Sequence, residues 1–144
     1  MKTLLQILNI KNHKNLISIQ PDRPVYDALV ILAEYKIGAL AVMQGDKLVG
    51  IFSERDYARE VVLKGRSSKI TQVQEVMTSN VITGKPDELV DSAMSIMSEK
   101  RIRHLPILDN DKVIGMLSLG VLVKETITYQ KNLIKQLESY IQGG

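Results

Sequence analysis

The sequence contains no cysteine, no tryptophan and only two histidines. Without cysteine there is no disulfide, no thiolate nucleophile and no metal site with sulfur ligands. His13 and His104 lie far apart and belong to no motif that pairs two histidines, so a metal site would have to be built from carboxylates. These shortages exclude thiol enzymes and argue against a metalloenzyme.

Aromatic residues are also scarce, with five tyrosines and one phenylalanine. Such a chain has few side chains on which single-stranded nucleic acid could stack, and its basic residues are dispersed, so we expect no nucleic-acid partner. No apolar run approaches the roughly 20 residues needed to span a bilayer. The opening MKTLLQILNIKNHKN is too polar for a secretory signal. We therefore expect a cytoplasmic protein without a membrane partner.

What the sequence does contain is an internal repeat. Residues 21–56 align with residues 86–121 without a gap, which indicates two copies of one fold unit. The identical pairs include Val25/Val90, Ala28/Ala93, Ile31/Ile96, Glu34/Glu99, Ile37/Ile102, Leu40/Leu105, Asp46/Asp111, Lys47/Lys112, Gly50/Gly115 and Ser53/Ser118.

Each copy has the pattern of a β-α-β-β-α unit. Short extended segments at 17–20 and 81–83 precede helices over roughly 24–36 and 89–101, where apolar residues recur at spacings of three and four. Two apolar runs joined by Gly-Asp or Asn-Asp then predict a β-hairpin in each copy. Helices follow, over 54–64 in the first copy and from Leu119 onward in the second.

The segments outside the repeats are simpler to interpret. The polar stretch GRSSK at 65–69 reads as a linker, and ITQVQEVM at 70–77 as a short helical bridge. The last helix continues through ETITYQKNLIKQLESYIQ with one apolar face. That face either packs on its own domain or forms a coiled coil with a second copy. It comprises Ile127, Ile134, Leu137 and Ile141.

A doubled β-α-β-β-α unit with the motifs VMTSNVITGKPD, RIRHLPI and GIFSERD resembles the tandem cystathionine-β-synthase (CBS) domain pair, or Bateman module. The stretch SERDYAREVVLKGRSSK is similar to small stand-alone CBS-pair proteins. The resemblance implies an α/β (α+β) fold of two repeats packed with pseudo-twofold symmetry. We assign repeat one to residues 10–66, repeat two to 75–128 and a C-terminal helical extension to 129–144.

The resemblance further implies a ligand site for an adenosine-containing molecule. AMP, ADP, ATP and NAD(H) are the first candidates, and S-adenosylmethionine is a weaker one. The function implied is regulatory: the module senses energy or redox state as a homodimer and signals to an unknown protein in trans. The alternative is a scaffold in which the CBS pair only dimerises. We expect no enzyme, because the sequence has no P-loop and no serine–acid partner for His104.

The stretch Ser53-x-x-Asp56 carries two interpretations. As a capping box, it closes the start of a helix and has no further role. In the family context, Ser53 contacts ribose or phosphate and the Asp56 carboxylate accepts from the ribose diol, while open N–H groups of the helix start contact phosphate. The resemblance assigns the remaining contacts to Thr78, Asn80, Val81, Ile82, Ile102, Arg103 and His104. Arg55 and Arg66, like Arg103, are candidates for phosphate contact because a guanidinium group pairs with phosphate oxygens, and the alternative for each is a solvated surface charge.

The second copy departs from this pattern. Ser118 recurs, but Val121 stands where the first copy has Asp56. In the cleft that Ser118 would line, Lys11 takes the place that Thr78 has in the other cleft. A ribose diol facing valine would leave its hydroxyls unpaired, at a cost of roughly 1–3 kcal/mol each. We therefore expect one adenosine site per chain.

Overall fold

A computed structural model describes residues 1–10 and 16–143; Lys11 and His13 lie outside this part of the chain. The protein is a mixed α/β structure. Its helices are α1 Leu4–Leu8, α2 Val25–Tyr35, α3 Glu54–Asp56, α4 Val73–Val76, α5 Val90–Lys100 and α6 Leu119–Ile141. Its strands are β1 Ser18–Ile19, β2 Ala39–Gln44, β3 Lys47–Ser53, β4 His104–Asp109 and β5 Lys112–Ser118.

The chain forms two compact units. Among the described residues, 16–82 and 110–114 form the first unit, and 1–10, 83–109 and 115–143 form the second. In the first unit β1 pairs parallel with β2, and β2 pairs antiparallel with β3. Strands β4 and β5 form a two-stranded sheet. Both predicted hairpins are thus confirmed.

The same positions of the two repeats are buried. Each repeat turns the apolar stripe of its first helix inward. The second hairpin strand buries alternate residues, whereas the first hairpin strand buries consecutive ones, at 39–42 in β2 and 105–107 in β4. The buried equivalents are Val25/Val90, Ala28/Ala93, Leu32/Met97, Leu40/Leu105, Val42/Ile107 and Phe52/Leu117. The first helices also end alike, at Lys36 (φ 54°) and Arg101 (φ 56°) in the left-handed conformation.

Each unit is completed by a short helix that precedes a repeat in sequence. In the first unit α4 buries Val73 and Val76, and Gln72 bridges Pro24. In the second unit α1 occupies the equivalent place: Thr3 bridges Leu89. The sequence analysis predicted α4 but not α1. The helix that completes each unit therefore lies upstream of the other repeat in the chain.

Helix α1 also explains a difference between the two sheets. Gly84 of the second unit stands where the first unit has buried Ile19. A methyl group on Gly84 would come within 3.0 Å of the Leu4 side chain and 2.9 Å of Leu105. Leu4 thus fills the space that an isoleucine side chain takes in the other repeat.

The extended segment predicted at 81–83 does not form a strand among the described residues. The second unit keeps only an isolated parallel bridge between Gly84 and Ile107. In the first unit Ala41 donates its N–H to Ile17, but the equivalent residue in β4 is Pro106, which has no N–H to donate. The loss of that hydrogen bond shortens the pairing.

The helix predicted at 54–64 is interrupted. After the three residues of α3 the chain widens into a π-helical segment, Tyr57–Val62. Leu63 donates to the carbonyl of Ala58, and Arg66 donates to that of Val61, each five residues back. Residue propensities predict a helical conformation here but do not distinguish the α from the π hydrogen-bond pattern.

The long C-terminal helix is confirmed by α6, which buries Leu122 near its start. Beyond residue 126 every described residue is exposed. The apolar face of 127–141 does not pack on its own domain, and that alternative from the sequence analysis is wrong for this segment.

Candidate ligand-binding site

The candidate site is built around the turn from β3 into α3. Ser53 ends the strand in an extended conformation and caps the helix: its hydroxyl oxygen accepts from the Asp56 N–H at 3.2 Å. The Asp56 Oδ2 atom accepts from the Ser53 N–H at 3.0 Å and from its hydroxyl at 3.1 Å. The capping box predicted from the sequence is confirmed, and it fixes the carboxylate of Asp56.

A third residue reaches this carboxylate from a distant part of the chain. The Thr78 hydroxyl donates to Asp56 Oδ1 at 3.1 Å. Thr78 is held there by two backbone hydrogen bonds with Ile51 in β3, at 2.8 and 2.9 Å. Ser53, Asp56 and Thr78, all predicted as ligand contacts, are therefore brought together within the first unit.

Gly50 makes this approach possible. A methyl group at this position would lie 2.5 Å from the Met77 sulfur and 2.9 Å from the Thr78 carbonyl oxygen. A side chain would therefore push the segment of Thr78 away from β3. The sequence analysis identified Gly50 as a repeated residue but did not assign it this role. The motif GIFS needs its glycine to keep Thr78 beside Asp56.

The carboxylate of Asp56 has room for a further donor. A carboxylate offers about four acceptor positions. Oδ2 accepts two hydrogen bonds from Ser53, whereas Oδ1 accepts one from Thr78. Asp56 is half-buried, and Thr78 is exposed. Asp56 can therefore keep its capping hydrogen bonds while its Oδ1 atom accepts one more hydrogen bond from a ligand.

The helix start is less open to phosphate than the sequence suggested. The Glu54 N–H donates to the Gly38 carbonyl at 3.0 Å, and the Asp56 N–H donates to Ser53. Two of the donors at the N-terminus of α3 are thus satisfied internally. Phosphate contact would fall mainly to cationic side chains.

Two ion pairs occupy the surface that follows α3. Lys64 lies 2.6 Å from the Glu60 carboxylate, and the hydrogen bond and charge of Lys64 lower the pKa of Glu60 from its usual value. Arg66 pairs with Glu75 at 3.9 Å. Both pairs are exposed, where such contacts contribute little to stability. Arg66 is thus engaged by a carboxylate outside the Ser53–Asp56–Thr78 cluster.

The remaining predicted residues are divided between the two units. Exposed Asn80 and half-buried Val81 and Ile82 belong to the first unit, as does Arg55 of α3. Ile102, Arg103 and His104 belong to the second unit, where they lead from α5 into β4. The Arg103 carbonyl accepts from the Leu119 N–H at 2.8 Å, which repeats the bond between Gly38 and Glu54.

The equivalent turn in the second repeat has only half of the capping arrangement. The Ser118 hydroxyl accepts from the Val121 N–H at 3.3 Å and caps α6. Val121 has no carboxylate to accept in return. The structure thus keeps the cap in both repeats and the acidic group in only one.

Within the described residues, no three carboxylate or histidine side chains cluster as metal ligands would. None of the helices in that part of the chain combines the length and apolar character needed to cross a membrane.

The geometry agrees with a comparison of the sequence to known families. The CBS domain matches twice, at residues 9–63 and 73–126. The chain belongs to the CBS domain family. Its tandem arrangement is that of a CBS pair, as the sequence motifs predicted.

Three relatives illustrate the similarity. A mitochondrial CBS domain-containing protein of Arabidopsis thaliana is 40% identical over 128 residues; the match covers 85% of this chain but 62% of that protein. A putative signal-transduction protein with CBS domains from Burkholderia ambifaria superposes with a TM-score of 0.85 at 46% identity, over 88% of this chain and 95% of that one. A CBS domain pair solved with 5′-methylthioadenosine and S-adenosyl-L-methionine superposes with a TM-score of 0.78 at 26% identity, over 90% of this chain and 98% of that one.

Proposed function

We propose that this CBS pair is a regulatory module that binds an adenosine-containing ligand and signals to a partner protein. The observation that carries the proposal is the Asp56 carboxylate, which is oriented by Ser53 and Thr78 and keeps acceptor capacity on Oδ1. A ribose diol is a pair of neighbouring hydroxyl donors that suits such a carboxylate. The solved CBS pair with two adenosine-containing ligands supports this ligand class.

The proposed roles divide the ligand into three parts. Asp56 and Ser53 hold the ribose, with Thr78 orienting the carboxylate. Apolar residues enclose the adenine, and cationic residues bind phosphate, in keeping with the usual division between apolar walls and a few polar anchors. The proposed adenine contacts are Val81, Ile82 and Ile102, with Asn80 at their edge. The proposed phosphate contacts are Arg55, Arg103 and His104, and Arg66 if it leaves Glu75.

Among the possible ligands we propose AMP first, then ADP, ATP and NAD(H). S-adenosylmethionine shares the adenosine half, and its presence in the solved relative keeps it among the compounds to test. The protein partner in trans, the cytoplasmic location and the repeat limits 10–66 and 75–128 remain predictions from the sequence.

A second candidate function is a dimeric scaffold without a physiological ligand. Such a scaffold would use the exposed apolar face of α6, on which Ile134 and Leu137 are 53% and 55% exposed. We propose that the protein is a homodimer under either function, so the dimer alone does not discriminate between the two. Ligand binding does.

The deciding experiment compares AMP with 2′-deoxy-AMP on the full chain by calorimetry, with GMP as the control for the base. If Asp56 holds the diol, removing one hydroxyl weakens binding by about one to two orders of magnitude, since a hydrogen bond to a charged group contributes about 1.5–3 kcal/mol. The Asp56→Asn variant should lose this discrimination. If no adenosine compound binds or raises the melting temperature, the scaffold function is favoured.

A further inference from the structure

The last part of α6, from residue 127 onward, is an exposed helix. Near its start, Glu125 pairs with Lys2 at 3.2 Å and the Thr126 hydroxyl lies 3.3 Å from the Met94 sulfur. From residue 127 to residue 143 every side chain is exposed. A single helix of about four turns in water has little stability of its own, and it usually depends on an apolar partner.

This segment is amphipathic. Ile127, Ile134 and Ile141 recur every seven residues, and Leu137 lies between the last two on the same face. Leu133 and Tyr140 widen the stripe on one side; Tyr140 is 82% and Ile141 is 80% exposed. The opposite face carries Asn132 and other polar residues. We call this apolar face the α6 stripe.

We propose that the α6 stripe binds the α6 stripe of a second copy of this chain, with the two helices antiparallel. The inference rests on the homodimer proposed above and names the surface that forms it. A register that sets Ile134 against the partner's Leu137 also sets Leu137 against the partner's Ile134, because the pair has twofold symmetry. In the same register Gln130 meets the partner's Ile141, and Leu133 lies beside the partner's Tyr140.

Charge complementarity selects the antiparallel orientation. Lys131 and Glu138 both flank the stripe on the side away from Leu133, one heptad apart. In the antiparallel register Lys131 of each chain lies beside the partner's Glu138, so two opposite-charge pairs form. A parallel arrangement would set Leu133 beside the partner's Glu138 and would leave both charges without an opposite partner across the seam. Charges that flank an apolar seam determine partner and orientation in this way.

The test begins with the mass of the full chain in solution. Light scattering from about 1 to about 100 µM should show a dimer of the 16.1 kDa chain that dissociates on dilution, because a stripe of four turns is short. Leu137→Asp should give the monomer mass throughout. Asn132→Asp, on the opposite face of the same helix, should leave the dimer intact. Both residues are exposed, and circular dichroism and the melting temperature verify that the variants fold.

The charge pairs supply the test of orientation. Glu138→Lys should raise the dimer Kd by about tenfold, since two attractive pairs become repulsive. Lys131→Glu should have the same effect. The double variant Lys131→Glu with Glu138→Lys exchanges the charges and should restore the parent Kd. Failure of the double variant to recover would overturn the antiparallel register.

The outcomes separate this inference from the proposals on which it rests. A parent chain that is monomeric at every concentration overturns the homodimer and the α6 contact together. A dimer that survives Leu137→Asp overturns only the α6 contact, because the two chains must then meet elsewhere. Neither result bears on nucleotide binding, which is measured separately.

Discussion

Thr78 donates its hydroxyl to the carboxylate of Asp56 across 22 residues of sequence. The first residue belongs to the segment that opens the second repeat, and the second lies in the first turn of α3. Asp56 would complete its capping box without Thr78, so this contact is additional to the helix cap. It fixes the orientation of the Asp56 carboxylate, which Val121 replaces in the second repeat.

Replacing Asp56 with Asn should separate the helix-capping role of this residue from its proposed role in ligand binding. The amide oxygen can still accept from Ser53, so the free energy of unfolding should fall by only a few tenths of a kcal/mol, up to about 1 kcal/mol. Affinity for AMP should fall by about ten- to a hundredfold, because the charge that accepts from the diol is gone. Calorimetry and denaturant unfolding measure the two quantities. Unchanged AMP affinity would leave the capping role as the whole explanation of the motif.

Thr78→Val provides a matched comparison of nearly equal size. It removes the donor to Oδ1 but leaves the Asp56 charge and the Ser53 cap intact. We expect the AMP affinity to fall by a smaller factor than in Asp56→Asn, since only the orientation of the carboxylate is loosened. The free energy of unfolding should fall by about 0.5–1 kcal/mol. A larger loss of affinity than in Asp56→Asn would show that Thr78 itself binds the ligand.

Gly50→Ala should destabilise the protein, because the added methyl group meets the Met77 sulfur and the Thr78 backbone. Overpacking of this kind costs about 1–3 kcal/mol. Gly120→Ala is the control: its methyl group would have no neighbour nearer than 3.9 Å, and alanine favours the helix by up to about 1 kcal/mol. The melting temperatures should therefore move in opposite directions. AMP affinity should fall in Gly50→Ala alone.

Leu4→Ala tests whether α1 belongs to the core of the second unit. Leu4 is fully buried, and its removal should cost about 2–5 kcal/mol of unfolding free energy. Leu5 lies on the same helix but is 41% exposed, so Leu5→Ala should cost about 0.5 kcal/mol or less. Similar melting temperatures for the two variants would contradict the role of α1.

Val121→Asp should complete the second capping box. The new carboxylate would lie three residues after Ser118, as Asp56 lies after Ser53. A cap of this kind and the favourable charge at the helix start together contribute about 1 kcal/mol, against which stands the loss of a half-buried valine. We expect little change in the melting temperature and a weak second AMP site by calorimetry. A stoichiometry that stays at one would show that the acid alone does not make a site.

Periodic patterns predicted the regular part of this fold. The helices α2 and α5, both hairpins and the length of α6 follow from apolar spacing and turn residues. Helix α1 was missed because LLQIL is too short to show a period. Its counterpart gives the signal: Leu4 and Ile7 have the spacing of Val73 and Val76. Pro106 is a signal for the shortened pairing that the sequence analysis did not use, because the sequence does not show which strand hydrogen bond the proline removes.

The candidate site was predicted to a similar extent. Ser53 and Asp56 stand in a motif with fixed geometry, so their hydrogen bonds followed from sequence spacing. The contact with Thr78 depends on a close approach between distant segments, which requires Gly50 and is invisible in a local pattern. The pairing of Arg66 with Glu75 was not predicted either, because it depends on the fold of the linker that follows the first repeat.

Each short helix, α1 or α4, packs on the unit that contains the other repeat, and this arrangement determines which fragments of the protein can fold. A fragment that stops at the linker near residue 66 contains all strands of the first repeat but lacks Val73 and Val76, which belong to the same core. The smallest autonomous piece of the first unit must therefore extend past α4, and one of the second must regain α1 from the opposite end of the chain. Split halves divided at the linker would each carry the other's missing helix, so they should recover their structure by complementation when mixed.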